Sequence, residues 1–395
     1  MKHSLVAMRG CFGGCTFCSI TEHEGRVIQS RSADSILREV RALRRMDDFR
    51  GVISDLGGPT ANMYAMRCED EKFESRCRRL SCVHPSVCEH MVTDHRPLMD
   101  LMKKVREAEG VKRVFIASGV RFDLAQLSPE YLRELTLHHV GGQLSVAPEH
   151  TSPETLRLMK KPAIDSYERF ADQFRCASQA AGKEQYLVPY FISGHPGSTL
   201  GDMVHLALYL KRNNLRPRQV QDFIPTPMSL AATMYYTGLD PLSEKPVYTA
   251  RGLREKRLQK ALLLYWDPTQ APVVRAALLE ANRPDLIGRG QESLVSPGPV
   301  EGKREISKSF PQSDPNAPKG KANQFAKAAN RPGPGGPPSH RLAPRAIGDL
   351  HRMAPTGQQE RNRSKVELAG TKTGPRTGTG TKMRTGPGMN PRKPR

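Results

Sequence analysis

Arg9-Gly10-Cys11-Phe12-Gly13-Gly14-Cys15-Thr16-Phe17-Cys18 directly follows the first strand-like run of the chain, Ser4–Met8. Three thiols with three and two residues between them, on a loop loosened by Gly13 and Gly14, can each hold one iron of a cubane cluster. A cubane that only carries electrons takes four cysteines. A loop with three leaves one iron open to a small molecule. A three-ligand zinc site and three unrelated buried thiols are the plainer readings, although structural zinc ordinarily takes four ligands.

Outward from this loop, short strand-like runs alternate with helical patterns. The runs are Ser4–Met8, Gly51–Asp55, Lys112–Ala117, Gln143–Ala147, Gln185–Ile192 and Arg218–Ile224. Between them, Ser32 is placed to cap a helix carrying Ile36, Leu37, Val40 and Leu43 at core spacing. Pro97 opens another, with Leu98, Leu101, Met102 and Val105, that closes at Gly110. Ser128-Pro129 and Ser152-Pro153 read as further capped starts, Tyr167, Phe170 and Phe174 line one helix, and Met203, Leu206, Ala207 and Leu210 line the next. Strands that each lead into a helix predict a parallel sheet with right-handed crossovers.

Polar or glycine-rich loops follow nearly every run: Cys11–Cys18, Gly57-Gly58-Pro59-Thr60, Ser118-Gly119-Val120-Arg121, Ala147-Pro148-Glu149-His150, Gly194-His195-Pro196-Gly197 and Pro225-Thr226-Pro227. In β/α barrels the carboxyl ends of the strands form the active face. The pattern therefore favours an α/β fold, a partial (β/α)6 barrel over residues 1–250, with the loops facing one mouth. Residues 61–96 are a cysteine-rich insertion and 251–295 a helical extension with Leu253, Leu258, Leu262, Leu263 and Trp266. From residue 296 to 395 the composition turns to Pro, Gly, Lys, Arg and Thr, which predicts a disordered basic tail.

The chain has 395 residues and a formal charge of +21. Residues 301–395 hold 20 Lys and Arg against 6 Asp and Glu, or +14, leaving +7 for residues 1–300. Such a tail attracts polyanions and predicts weak RNA binding, but it lacks interleaved aromatic residues for base stacking. Eight cysteines without a leader-like stretch, and no apolar run long enough to span a bilayer, point to a reducing, cytoplasmic setting and no membrane partner.

The cysteine spacing, with an aromatic residue before the third cysteine, resembles the signature of radical S-adenosylmethionine (SAM) enzymes. Arg9-Gly10-Cys11 through Ser30-Arg31-Ser32, Ser54-Asp55-Leu56-Gly57-Gly58-Pro59-Thr60-Ala61-Asn62, Ser118–Arg121, Ala147–Thr151 and Tyr186–Gly197 resemble the YgiQ-like family of uncharacterised radical SAM proteins over about residues 3–290. More remotely, the fifth and sixth strand turns resemble those of tRNA methylthiotransferases. Members of the YgiQ-like family carry a long region ahead of the cysteine motif, and only ten residues precede Cys11 here. A fragment, or a misplaced start, is the expectation that follows.

The resemblance implies that Cys11, Cys15 and Cys18 ligate a 4Fe–4S cluster whose open iron chelates the amino and carboxylate groups of SAM. One-electron reduction, from a flavodoxin- or ferredoxin-type partner, then yields a 5′-deoxyadenosyl radical that acts on an unknown substrate. It implies that Phe17 shields the cluster, that Gly57, Gly58 and Thr60 lie where the SAM amino group is held, and that Arg121 and Ser118 meet its carboxylate or ribose. An ion pair to Asp123 is the plainer role for Arg121. Glu149 is a candidate acceptor for the ribose hydroxyls, or only a charge ahead of the helix near Ser152. His150 is a candidate substrate-side acid or base and His195 part of a turn against the adenine, but no residue is assigned to catalysis.

Cys68, Cys77, Cys82 and Cys88 in the polar insertion suggest a metal staple, as an auxiliary iron–sulfur cluster or zinc, with His84, His90 and His95 in reserve. Their gaps of eight, four and five residues are not those of zinc ribbons. Cys176 reads as a packed core thiol. The function expected is thus a radical SAM enzyme domain; an RNA-modifying enzyme of the same superfamily, or a truncated cluster-binding protein without turnover, are the rivals.

Overall fold

A computed structural model describes residues 2–217 and 220–298. Each of the strand-like runs contributes a strand: β1 (Ser4–Val6), β2 (Asp55–Gly57, preceded by the short strand Val52–Ile53), β3 (Arg113–Val114), β4 (Gln143–Glu149), β5 (Tyr186–Ser193) and β6 (Gln221–Asp222). β1 pairs with β2 in parallel, Leu5 opposite Leu56, and Val52–Ile53 pairs in parallel with β3. β4, β5 and β6 form a parallel three-stranded sheet. Single backbone bonds from Ile116 N to His139 O (3.0 Å) and from Val120 N to Ser145 O (3.4 Å) link the β3 side to the β4 side. The strands thus follow one another in space as they do along the chain, which right-handed crossovers through helices produce. Among the described residues no pairing joins β6 to β1, so the ring of strands is open.

The connecting helices form where the periodicity places them. Ala33–Arg44 is capped by the Ser32 hydroxyl, which accepts from Ser35 N, and it buries Ile36 and Val40. Arg96–Arg106 has Pro97 in its first turn and buries Leu98, Leu101, Met102 and Val105. It ends short of Gly110. Ser128 caps Pro129–Glu134 through Tyr131 N. Ile164–Ala180 buries Tyr167, Phe170 and Phe174, and Leu200–Arg212 opens on a capping box of Thr199 and Asp202. Strand residues Leu5, Ile53, Leu56, Val114, Leu144 and Val146 pack in one core with the first four of these helices, Ala33–Arg44 through Ile164–Ala180. At about 1.5–3 kcal/mol for each fully buried large apolar side chain, this packing is what holds the loops at the strand ends in place.

Helices Leu253–Leu263 and Ala271–Glu280 share a second core with Phe191 of β5 and with Leu200–Arg212, and the Trp266 indole N–H donates to Pro217 O at 3.2 Å. Three expectations need correction. Leu253 does not join that core but is 87% exposed at the first turn of its helix. Cys176 is exposed, not packed, because it lies off the Phe170–Phe174 face. Ser152 makes no side-chain cap; the side chain that accepts its N–H is His150, through Nδ1. The basic tail, beyond residue 298, lies outside the described residues. No described helix is long and apolar enough to cross a membrane.

Candidate functional site

The loop from Gly10 to Cys18 leaves the β1 side and is touched by the loop after every other strand. After β2, Thr60 Oγ1 lies 4.0 Å from Cys11 Sγ. After β3, Arg121 Nη1 lies 3.9 Å from Cys15 Sγ. After β4, the C-terminal end of the helix Pro153–Met159 accepts twice from Thr16, Thr16 N donating to Met159 O (3.1 Å) and Thr16 Oγ1 to Leu158 O (2.6 Å). After β5, the His195 ring stands edge-on to Phe17 with centroids 5.9 Å apart. After β6, Thr226 Oγ1 donates to Phe17 O (3.3 Å) and Ala231 N to Thr16 O (2.9 Å). Although β6 and β1 are not paired, their loops therefore are bonded, and Cys11, Cys15 and Cys18 sit at the meeting point.

Arg121 is buried, and its fork is committed to Asp123: Nε donates at 2.9 and 3.2 Å and Nη2 at 2.6 Å. This is the plainer of the two roles expected from sequence, and it leaves Nη1 facing Cys15. Burial alone would lower the basicity of Arg121, but the Asp123 carboxylate more than reverses this, and the guanidinium is held firmly charged. In the same way, burial works against the Asp123 carboxylate and the Arg121 charge outweighs it, so its pKa lies below the ordinary carboxylate value. Asn62 fixes the Arg121 backbone from both sides, Arg121 N donating to Asn62 Oδ1 (2.8 Å) and Asn62 Nδ2 to Arg121 O (3.0 Å).

Sequence reasoning missed Asp55. Its buried carboxylate accepts from Ala117 N (2.8 Å), Ser118 N (2.9 Å) and the Ser118 hydroxyl. The Ser118 hydroxyl, expected to face SAM, is thus engaged by Asp55. Asp55 and Asn62 both stand inside the Ser54–Asn62 stretch, and an acid closing the strand-like run Gly51–Asp55 was the signal available. The glycines of this stretch are required by contact. A Cβ on Gly57 would meet Ser118 Oγ at 2.5 Å, and one on Gly58 would meet Met8 O at 2.6 Å.

Glu149 ends β4 at φ 71°, a left-handed conformation that is uncommon for a side-chain-bearing residue. Burial pushes its carboxyl pKa up, partly offset by Lys161. His150 is fully buried and used structurally: Nδ1 accepts from Thr151 N (2.9 Å) and Ser152 N (3.0 Å), and Nε2 is 3.0 Å from Ser198 Oγ. Burial lowers its pKa to about 4, so the ring is neutral. His195 is likewise buried, lowered to about 3, with Nδ1 2.7 Å from Pro196 O and Nε2 buried without a partner.

The donor set suits an iron–sulfur cluster. All three cysteines are free thiols on one loop. Burial, and then the neighbouring Cys15, raise the Cys11 pKa; burial raises that of Cys18 to about 11. Thiols so placed stay protonated until a metal displaces the proton. Gly13 keeps the space beside them clear, since a Cβ there would stand 2.6 Å from Arg121 Nη1 and 3.2 Å from Cys11 Sγ.

Cys68, Cys77, Cys82 and Cys88 all line one cavity beneath Phe12. Of the reserve histidines, His90 lines it too but is paired to Glu69 at 3.0 Å. His95 is stacked on Tyr131 with centroids 4.4 Å apart.

Comparison with known proteins is decisive about the family. The profile of the radical SAM superfamily matches residues 5–210. The chain belongs to the radical SAM superfamily. The cofactors of that superfamily are a 4Fe–4S cluster and SAM, in line with the expectation from the cysteine loop. The UPF0313 protein YgiQ of Salmonella typhimurium is 53% identical over 311 residues, 77% of this radical SAM chain and 43% of the relative. A UPF0313 protein of Rhodopseudomonas palustris is 54% identical over 302 residues, 75% of this chain and 45% of the relative. One from Vibrio parahaemolyticus is 48% identical over 368 residues, 91% of this chain and 46% of the relative. The YgiQ-like resemblance is borne out, and the chain spans less than half the length of these curated relatives. A second profile, a domain of unknown function (DUF3362), matches residues 218–382. Among solved structures, the radical SAM methyltransferase TsrM from Kitasatospora setae, with cobalamin and a [4Fe-4S] cluster bound, aligns with a TM-score of 0.38 and 15% identity over 62% of this chain and 42% of that one. That likeness is too slight to carry detail.

Proposed function

We propose that this chain is the cluster-bearing domain of a radical SAM enzyme, built on an open (β/α)6 barrel. The observation that carries the reading is the cysteine loop touched by the loops of all the other strands. Cys11, Cys15 and Cys18 hold the cluster as thiolates. When bound, the cluster and SAM supply reductive cleavage of the sulfonium carbon–sulfur bond to a 5′-deoxyadenosyl radical, with the electron from a flavodoxin- or ferredoxin-type donor. The residues of the chain orient and shield. Arg121, clamped by Asp123, places a permanent positive charge 3.9 Å from Cys15 Sγ, where a negatively charged cluster would sit. Phe17, edge-on to His195 and packed against the apolar cluster that includes Leu156 and Met159, keeps water off that side. Gly57 and Gly58 bring bare backbone to the mouth, and Glu149 offers it a buried carboxylate suited to ribose hydroxyls or an ammonium group.

The test is anoxic reconstitution of the chain with iron and sulfide, followed by SAM and a strong reductant. Formation of 5′-deoxyadenosine is expected, together with its loss in Cys15→Ala. A SAM-competent cluster signal without any cleavage product overturns the enzymatic reading for this chain.

A further inference from the structure

We propose that Cys68, Cys77, Cys82 and Cys88 hold a second iron–sulfur cluster, fully ligated by protein, that fastens the insertion to the cysteine loop. These four come from three separate segments. Cys68 lies on the short ladder Arg67–Cys68 with Met91–Val92. Cys77 ends the helix Glu71–Arg76, and Cys82 and Cys88 close a turn in which Cys88 N donates to Cys82 O at 2.8 Å. All four thiols are free and line the same cavity, whose other walls include Phe12 and Phe73. Arg26 reaches in with Nη1 3.8 Å from Cys77 Sγ and Nη2 3.0 Å from Cys77 O. A guanidinium directed at thiols in an apolar cavity suits a group that carries net negative charge, as four thiolates on a cubane do.

Iron–sulfur is favoured over zinc because gaps of eight, four and five residues are not those of zinc ribbons. Among the described residues no three His, Cys, Asp or Glu side chains converge closely enough for one ion. With four cysteine ligands no iron is open, so this second site binds no SAM. It has a structural consequence for the first. Cys82 N donates to Phe12 O (3.0 Å) and Ser81 Oγ to Gly13 O (2.7 Å), so ordering this turn orders the backbone between Cys11 and Cys15.

Iron content and Mössbauer spectra of the full chain, reconstituted without oxygen, test this. About eight irons per chain are expected, falling twofold to about four in the triple variant Cys11→Ala/Cys15→Ala/Cys18→Ala, with a cubane signal that SAM does not perturb. Cys82→Ser/Cys88→Ser should show the complementary twofold loss and keep a SAM-sensitive signal. A wild-type chain with about four irons overturns the proposal, as does a triple variant that is folded by circular dichroism yet iron-free, or one that carries a single zinc. A chain with about eight irons that fails to cleave SAM defeats the enzymatic reading and leaves this one standing.

Discussion

Arg121 Nη1 lies 3.9 Å from Cys15 Sγ because Asp123 holds the rest of the guanidinium in a buried fork. Removing one member of such a pair leaves an uncompensated buried charge, typically worth about 3–5 kcal/mol. Arg121→Ala is therefore expected to lose stability on that scale in urea denaturation. Adding Asp123→Asn to the same chain should recover a large part of the loss. Equal stability of the single and double variants would show that the Asp123 charge is not what makes the vacancy costly.

Gly14 sits at φ 62°, and a Cβ there would meet Leu80 O at 2.1 Å. Neither atom is on a flexible side chain, so Gly14→Ala must move the cysteine loop or the insertion. The left-handed conformation alone costs about 1–2 kcal/mol for a residue with a Cβ. Iron bound per chain after reconstitution should fall well below wild type, whereas Gly119→Ala, where a Cβ meets nothing within 4 Å, should reconstitute normally.

Glu149 predicts a pH effect of opposite sign to that of most carboxylates. Burial raises its folded pKa above 4.5, so between the unfolded and folded values the native state holds the extra proton. Stability from this group therefore falls as pH rises through that window. Glu149→Gln is expected to gain stability over wild type at pH 7–8 and to match it near pH 4, by urea titration at each pH. A variant less stable than wild type at pH 8 would mean that the carboxylate is paired where burial says it is not.

How much of this was legible beforehand differs between backbone and side chains. The strands and the helices at Ser32, Pro97 and Ser128 follow from local periodicity and capping, which depend on neighbours in sequence. The cysteine loop was legible for a different reason, since its chemistry is carried by residue type and spacing within eight positions. Asp55 and Asn62 were not assigned their roles, because each acts on a residue of another strand's loop: Asp55 on Ser118 and Asn62 on Arg121 across about sixty positions, whereas the Arg121–Asp123 pair, two residues apart, was legible. His150 looked like an acid or base for want of its partners, and only the folded turn shows both nitrogens engaged.

Four buried histidines weigh on the acid side of the stability profile, and burial lowers the pKa of each, His139 included. His95, His150 and His195 are lowered by burial from 6.5 to about 4, about 4 and about 3. Each is neutral in the fold, so the unfolded chain takes up the proton first as pH drops. Their contribution is full above pH 6.5 and is lost progressively as pH falls toward 4. One such group changes stability by at most about 1.4 kcal/mol per pH unit, so the three together give about 4. Unfolding free energy from urea melts should fall by at least about that slope between pH 6 and pH 5, since His139 acts in the same direction. His195→Gln, which removes the ring whose Nε2 has no partner, is expected to reduce the slope by about one proton's worth. An unchanged slope in that variant would show that His195 is protonated in the native fold, with Nε2 donating to an acceptor rather than buried neutral against Phe17 and Phe223.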